Sequence, residues 1–349
     1  MNRILFAGGG TAGHIEPALA TANAWRKKYP GDQIYFLGTK DGLEQKLIPT
    51  DELILIPKVV APRSLTIPAL ISPIKLTNTV SKALKIVKNF DVVVGFGGYV
   101  SAPAYLAAAI LRKPIIIHEA NAKPGLANRI GAKFASEIGV GYELANLQLP
   151  NAKVVGNPLK DQIISASKQI DWAKARSAAK KRVAAPNDLP MILILGGSQG
   201  ARSINNVISQ VNLSNYFVLH SVGASNELPT ATTNYRPVTY ITEMADALLA
   251  ADLIISRSGA IACSEIAALG RYALFIPLPI GNGEQALNAQ ALINAGRAEL
   301  IMQPQFTSDW LASHLPNLMK SALGSPETPL GTPLNAPADL VTMIESVLI

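Results

Sequence analysis

Short apolar runs alternate along the whole chain with longer stretches whose apolar positions recur at helical spacing. A strand of a parallel sheet is covered on both faces and reads as an unbroken apolar run, whereas a covering helix shows one apolar stripe. Strands are predicted over 3–7, 33–37, 53–56, 92–95, 115–117, 138–140 and 154–155, and again over 191–195, 217–219, 238–240, 253–255, 273–276 and 299–301. Helical patterns separate them, so the fold class is α/β, with parallel sheets covered by helices. A last amphipathic stretch, 336–348, is expected to be a helix that packs back on the first half, at a place the pattern does not specify.

The segments RILFAGGGTAGHIEPALA at 3–20 and MILILGGSQGARSINNVI at 191–208 repeat one plan of buried strand, glycine-rich turn and helix. Two Rossmann-like domains facing across a cleft are therefore expected. Their joint is placed near Gly156-Asn157-Pro158, where a glycine and a proline interrupt regular structure. That gives a first domain over 1–157, joined by 336–349, and a second over 158–335. A length of 349 residues exceeds what one core usually organises, and an apolar content of 49% supplies two.

Charge changes the picture in one respect. Residues 1–157 hold 18 Lys and Arg against 10 Asp and Glu, a balance of +8, while the remainder stands at −1. A basic half suits an anionic membrane surface, nucleic acid or plain solvation. Within it Ile74, Leu76, Val80, Leu84 and Val87 interleave with Lys75, Lys82, Lys85 and Lys88, and an interfacial helix is expected there, with a helix packed on its own sheet as the alternative. The single Cys263 excludes an internal disulfide, no zinc-ligand spacing occurs, and a reducing compartment is expected. The apolar run after Met1 is too short for a signal peptide, and 99–111 falls short of the roughly 20 residues of a spanning helix. The expected location is the cytoplasmic face of the cell membrane, held peripherally.

Three glycine-rich turns follow predicted strands, at 8–14, 95–103 and 196–202. Such turns leave N–H groups at a helix N-terminus, where the dipole favours phosphate or diphosphate. Gly8, Gly10 and Gly13 also satisfy the dinucleotide spacing, but no acidic residue ends the second strand, where Gly38-Thr39-Lys40 stand before Asp41. A dinucleotide cofactor is not expected, and neither is any other.

Seven segments, GGGTAGHIEPALA at 8–20, VGFGGYVSAPAYLAA at 94–108, HEANAKPGLANR at 118–129, VGNPL at 155–159, GGSQGARSIN at 196–205, YITEMADALLAADLIISRSGAIACSEI at 240–266 and PIGNGEQALNAQAL at 279–292, carry a resemblance. In order and content they resemble the MurG family of inverting N-acetylglucosamine transferases, which have the two-domain GT-B architecture. The resemblance implies transfer from UDP-N-acetylglucosamine to the 4-hydroxyl of the muramyl-pentapeptide on undecaprenyl diphosphate. It implies a first domain that handles the lipid acceptor and a second that binds the nucleotide sugar, with no nucleic-acid partner. By position it places Thr11, Ala12, Gly13 and Asn121 on the acceptor side, and Ser198, Ile241, Ala260, Ile261, Ala262, Cys263, Ser264, Glu265 and Gln285 on the donor side. Two positions depart from the family pattern: Lys160 stands where arginine is frequent, keeping the charge without the bidentate fork, and Glu284 precedes Gln285 in place of a second glutamine.

His14 follows the first glycine turn, and an inverting displacement needs a base near the attacking hydroxyl, so it is the expected general base; contact with acceptor phosphate is the alternative. His118, Glu119 and His220 end strands, where loop organisation is at least as good a reading as ligand contact. Glu265 is expected to accept hydrogen bonds from ribose hydroxyls, and Ile241 to offer only backbone groups to uracil. Cys263 reads as a packing residue. No DxD segment is present, so metal-independent transfer is expected, with backbone N–H groups and Arg257 stabilising the departing diphosphate. Another GT-B glycosyltransferase, a UDP-sugar 2-epimerase and a silent nucleotide-sugar binder are the alternatives.

Overall fold

The computed structural model describes all residues except 59–66, 150, 187, 198–199, 280–281, 332 and 349, and the backbone alone of 67–76. The chain forms two compact units, Met1–Lys160 with Pro333–Ile349, and Asp161–Thr332.

In the first unit β1 (Arg3–Gly8), β2 (Gln33–Gly38), β3 (Leu53–Leu55), β4 (Val92–Gly97), β5 (Ile115–Glu119), β6 (Glu137–Val140) and β7 (Lys153–Val154) make one parallel sheet in the order β3-β2-β1-β4-β5-β6-β7. In the second unit β8 (Met191–Leu195), β9 (Phe217–Ser221), β10 (Tyr235–Val238), β11 (Leu253–Ser256), β12 (Tyr272–Phe275) and β13 (Ala298–Leu300) make another, in the order β10-β9-β8-β11-β12-β13. The strand predicted at 238–240 lies earlier, at Tyr235–Val238. It is an edge strand, where the N–H that Pro237 lacks is not missed by a second neighbour. In both sheets the strand order reverses beside the first strand, between β1 and β4 and between β8 and β11. Ligands of open α/β sheets bind beyond the carboxyl ends of strands at such a reversal.

Strand alternation sorts the core of the first unit into two layers. Leu5, Ala7, Val93, Ile115 and Ile117 face one way, onto the Ser101–Ile110 helix and the end of the Ile67–Val87 helix. Ile4, Phe6, Val92, Val94 and Ile116 face the other, onto the Ala12–Lys28 helix and the C-terminal helix Ala336–Leu348. Leu340, Val341, Met343 and Ile344 of that last helix are buried there beside Trp25. Its polar edge is fixed by Glu345, which accepts from the Tyr29 hydroxyl at 2.9 Å and pairs with Lys28 at 2.5 Å. The docking site left open by the sequence is thus the sheet face beside the first helix.

The same sorting corrects one sequence expectation. Val87 is fully buried and Leu84 packs against the same core, while Lys82, Lys85 and Lys88 are exposed. This end of the helix therefore spends its apolar face on its own sheet. Ile74, Leu76 and Lys75 lie among the side chains outside the description.

Two strand-end histidines are buried and locked. His118 donates from Nε2 to the carbonyl of Gly156 at 2.8 Å, tying β5 to the turn after β7. His220 lies between the Tyr235 hydroxyl, 2.8 Å from Nδ1, and Asn205 Oδ1, 3.1 Å from Nε2. Because Asn205 Nδ2 donates to the Val222 carbonyl, its oxygen is the acceptor, and Nε2 of His220 carries the hydrogen. Burial pushes both imidazoles down from 6.5 to about 4.

Two outcomes follow from this packing. Ile344→Ala opens a cavity between the last helix and the sheet and should cost about 2–5 kcal/mol, read from urea unfolding of Trp25 fluorescence with Trp172 and Trp310 replaced by Phe. An unchanged midpoint would mean that the last helix is not part of the first unit's cooperative core. The buried histidines set a pH dependence. The unfolded chain takes up a proton at each near 6.5 and the folded chain resists to about 4, so their contribution is complete above 6.5 and declines as pH falls across that window. The slope is at most about 1.4 kcal/mol per pH unit for each histidine. Urea midpoints across the window should fall less steeply in His220→Gln than in the parent chain.

Candidate active site

The first glycine turn leaves β1 at Gly8 and enters the Ala12–Lys28 helix, with Thr11 as the extended residue before it. A register shift between Ala7 and Gly8 brings this turn against the one after β4, and Gly9 donates to the Gly97 carbonyl at 3.4 Å. His14 stands in the first helical turn. Its Nδ1 donates to the Gly9 carbonyl at 3.0 Å and lies 3.2 Å from the Thr11 hydroxyl. A carbonyl can only accept, so Nδ1 carries the hydrogen and the neutral ring has its lone pair on Nε2. Ala12 and Gly13 share that first turn, where no i−4 acceptor exists for their N–H groups.

Gly97, with φ at +89°, sits beside this imidazole. A Cβ there would lie 3.3 Å from His14 Nε2 and 3.3 Å from Asn128 Nδ2. Asn128 is thus gathered next to the expected base, a neighbour that sequence reasoning missed. Its side chain is buried, with Oδ1 accepting from Tyr105 at 2.8 Å and Nδ2 donating to Glu119 at 2.9 Å. The signal was present in HEANAKPGLANR, but a helical asparagine there reads as an ordinary cap or surface residue until the fold turns it inward.

Glu119, buried at the end of β5, takes four bonds. Oε1 accepts from the backbone and side-chain nitrogens of Asn121, at 2.9 and 3.1 Å, and Oε2 accepts from Gly125 N–H and Asn128 Nδ2. Such saturation makes Glu119 the organiser of the 119–128 loop, the structural role weighed in the sequence. It also sets Asn121 beyond the carboxyl end of the sheet. Lys160 reaches Glu16 on the first helix at 3.0 Å, so the charge retained at this position is engaged within the first unit.

In the second unit the helix Ala260–Ala268 begins after Gly259 at the carboxyl end of β11, and its first turn presents backbone N–H groups at the strand-order reversal. Ala260 and Cys263 are buried, Ile261, Ala262, Ser264 and Glu265 half-buried. Burial pushes the Cys263 thiol up, so the sulfur is a packing group and only its backbone is available to a ligand. Ile241 is buried likewise, which leaves its backbone as the part able to meet a base. Gln285 uses Oε1 to accept from Leu278 N–H at 2.9 Å, and Glu284 accepts from Asn282 N–H at 3.0 Å, so both side chains shape their own loop. Asn288, not singled out by the sequence, ends the short Glu284–Asn288 helix and donates from Nδ2 to the Ser258 carbonyl at 3.2 Å. Ser198 lies outside the described residues.

Arg257, expected to meet diphosphate, is engaged by the scaffold. Its Nη1 donates to the Ile276 and Pro277 carbonyls, at 3.0 and 3.2 Å, and its Nη2 to Ser203 Oγ and Gln303 Oε1, at 2.8 and 2.6 Å. All four terminal hydrogens are spent on the scaffold, and the remaining Nε is buried. The guanidinium is a bracket across the ends of β11 and β12 and the Arg202–Ile208 helix.

The chain is similar to known proteins across both units. The glycosyltransferase family 28 N-terminal domain matches residues 4–140, and the family 28 C-terminal domain matches residues 191–329. A UDP-N-acetylglucosamine–N-acetylmuramyl-(pentapeptide) pyrophosphoryl-undecaprenol N-acetylglucosamine transferase of Streptomyces coelicolor is 43% identical over 325 residues, covering 89% of this chain and 88% of the relative. The transferase of the same name from Thermobifida fusca is 44% identical over 326 residues, covering 90% and 84%. Among solved structures, Acinetobacter baumannii MurG superposes with a TM-score of 0.71 at 27% identity, covering 99% of this chain and 100% of that one. A UDP-GlcNAc 2-epimerase from Neisseria meningitidis, at 15% identity and a TM-score of 0.61 over 99% of this chain and 100% of its own, shares the fold alone. The chain belongs to glycosyltransferase family 28, among the UDP-N-acetylglucosamine–N-acetylmuramyl-(pentapeptide) pyrophosphoryl-undecaprenol N-acetylglucosamine transferases.

Proposed function

We propose that this chain transfers N-acetylglucosamine from UDP-N-acetylglucosamine to the 4-hydroxyl of undecaprenyl-diphosphate-linked muramyl-pentapeptide, with inversion at the anomeric carbon. The observation that carries this reading is identity above 40% with transferases of that name across both units. His14 takes the proton of the attacking hydroxyl on Nε2, the nitrogen left with a lone pair when Nδ1 is bonded to Gly9. The donor is held on the second unit. The N–H groups that open the Ala260–Ala268 helix receive the diphosphate as its charge develops, and Glu265 accepts from the ribose hydroxyls. The epimerase alternative rests on fold likeness at about the level any pair of such domains shares, and no specific observation favours it.

Peripheral docking on an anionic bilayer is the second part of the proposal. No helix among the described residues is long and apolar enough to cross a membrane. Support comes from exposed Ile110 and Phe134 beside Arg112, Lys113 and Lys133, and from exposed Lys82, Lys85 and Lys88 on the neighbouring helix. Apolar side chains enter the headgroup boundary while each near-surface cation contributes about 1 kcal/mol.

His14→Ala should leave UDP binding intact and lower the maximal transfer rate by about two or more orders of magnitude, measured with labelled donor and lipid acceptor. Equal turnover would remove His14 from the chemistry, and a raised acceptor KM at unchanged kcat would assign it to phosphate contact instead. For docking, sedimentation with anionic vesicles should fall in an Ile110→Ser, Phe134→Ser variant and, separately, on replacing Lys82, Lys85 and Lys88 by Gln, with UDP binding retained. Unaltered sedimentation of both variants would move the docking surface elsewhere.

A further inference from the structure

We infer that Glu44 is a positioning residue that holds the His14 imidazole through the Gly9–Gly10 peptide. The inference rests on the reading of His14 as the base only for its effect on rate; the hold itself is geometric. Glu44 is fully buried at the start of the short Glu44–Leu47 helix beyond β2. Its Oε1 accepts from Gly10 N–H at 3.0 Å and from the Tyr99 hydroxyl at 3.1 Å. The carbonyl of Gly9, which receives His14 Nδ1–H at 3.0 Å, belongs to the same peptide group as the Gly10 N–H. That group is planar and stiff, so a carboxylate holding its nitrogen end sets the direction of its oxygen end. A bond from N–H to a carboxylate is also stronger than a neutral one and polarises the amide, which makes the carbonyl a better acceptor for the imidazole.

The surroundings are built to admit this carboxylate. A Cβ at Gly9 would come within 2.2 Å of Oε1, one at Gly42 within 1.6 Å of Oε2, and one at Gly98 within 2.1 Å of the Gly9 carbonyl. Tyr99, whose hydroxyl also lies 3.1 Å from Thr39 Oγ1, presses its ring on Gly10, where a Cβ would be 2.6 Å away. Oε2 of Glu44 is buried without a hydrogen-bond partner among the described residues. A half-satisfied buried carboxylate is destabilising compared with an apolar side chain of the same size, so packing alone does not account for it. What only an acceptor supplies here is the fixed peptide, and with it the tautomer that leaves the lone pair of His14 on Nε2, beside Gly97.

The test reads the imidazole directly. With four histidines in the chain, ring nitrogens are assignable by isotope-edited NMR of the full-length protein. Glu44→Met fills the site without an acceptor, and Glu44→Gln keeps a carbonyl oxygen for Gly10. His14 should be in the Nδ1–H form in the parent and in Glu44→Gln, and should shift toward the Nε2–H form in Glu44→Met, with His220 unchanged. The Met variant should also lose about tenfold or more in kcat, as expected of a displaced reacting group, with the KM for UDP-N-acetylglucosamine unaltered and the Gln variant recovering most of the rate. A folded Glu44→Met protein that keeps the Nδ1–H form overturns the inference, as does a folded Glu44→Gln protein that loses it. A shifted tautomer at full transfer rate leaves the hold of Glu44 in place and sinks the base role of His14, so the two readings fail separately.

Discussion

Burial of both parallel sheets on both faces is the constraint on which the rest of this molecule depends. Apart from Arg3 at the start of β1, the residues of β1, β4 and β5, and of β8, β11 and β12, are buried. Nothing polar is tolerated along their length unless it is paired, so polar chemistry is displaced to the strand ends. His118, Glu119, His220 and Arg257 show the rule: each is buried at or just beyond the carboxyl end of a strand, and each is held by bonds within its own unit. The strand order reverses beside β1 and β8, the place at which open α/β sheets receive their ligands.

Within that frame the glycine turns serve two purposes that look alike in sequence. Turns of this kind are expected to keep their N–H groups for phosphate, and the start of the Ala260–Ala268 helix fits that description. The turn after β1 is different. Its Gly10 N–H is already given to Glu44, and Gly8, Gly9 and Gly10 are required because neighbouring backbone, Glu44 and Tyr99 approach too closely for a Cβ. An anion arriving there would meet the first-turn N–H groups at Ala12 and Gly13. The turn is therefore better suited to orienting His14 than to cradling a phosphate by itself.

Arg257 makes the corresponding point in the second unit. A lone arginine beside a glycine turn reads as a phosphate ligand, because charge and hydrogen-bonding capacity are visible in sequence and partners are not. In the fold its four terminal hydrogens meet two carbonyls, a serine and a glutamine drawn from distant parts of the chain. Removing a buried cation bonded to the scaffold in this way would loosen the donor-side turns together, so a loss of activity on its removal would not make it a ligand.

The sequence by itself determined the two α/β units, the carboxyl-end placement of the glycine turns and of His14, and the family, because these depend on local periodicity and on residue types at fixed spacing along the chain. It also located the last helix, whose apolar stripe is plain, but not its seat on the first helix beside Trp25. Tertiary structure alone decided which polar groups face one another. Glu44 and Gly10 are 34 residues apart, Tyr105 and Asn128 are 23 apart, and Arg257 and Gln303 are 46 apart. Only the fold brings such pairs within hydrogen-bonding distance. It likewise decided that Val87 is core and that β10 begins before Pro237, since an apolar residue near lysines and a proline between two short strand-like stretches each admit two local readings. Burial, which is a property of the assembled layers, selects between them.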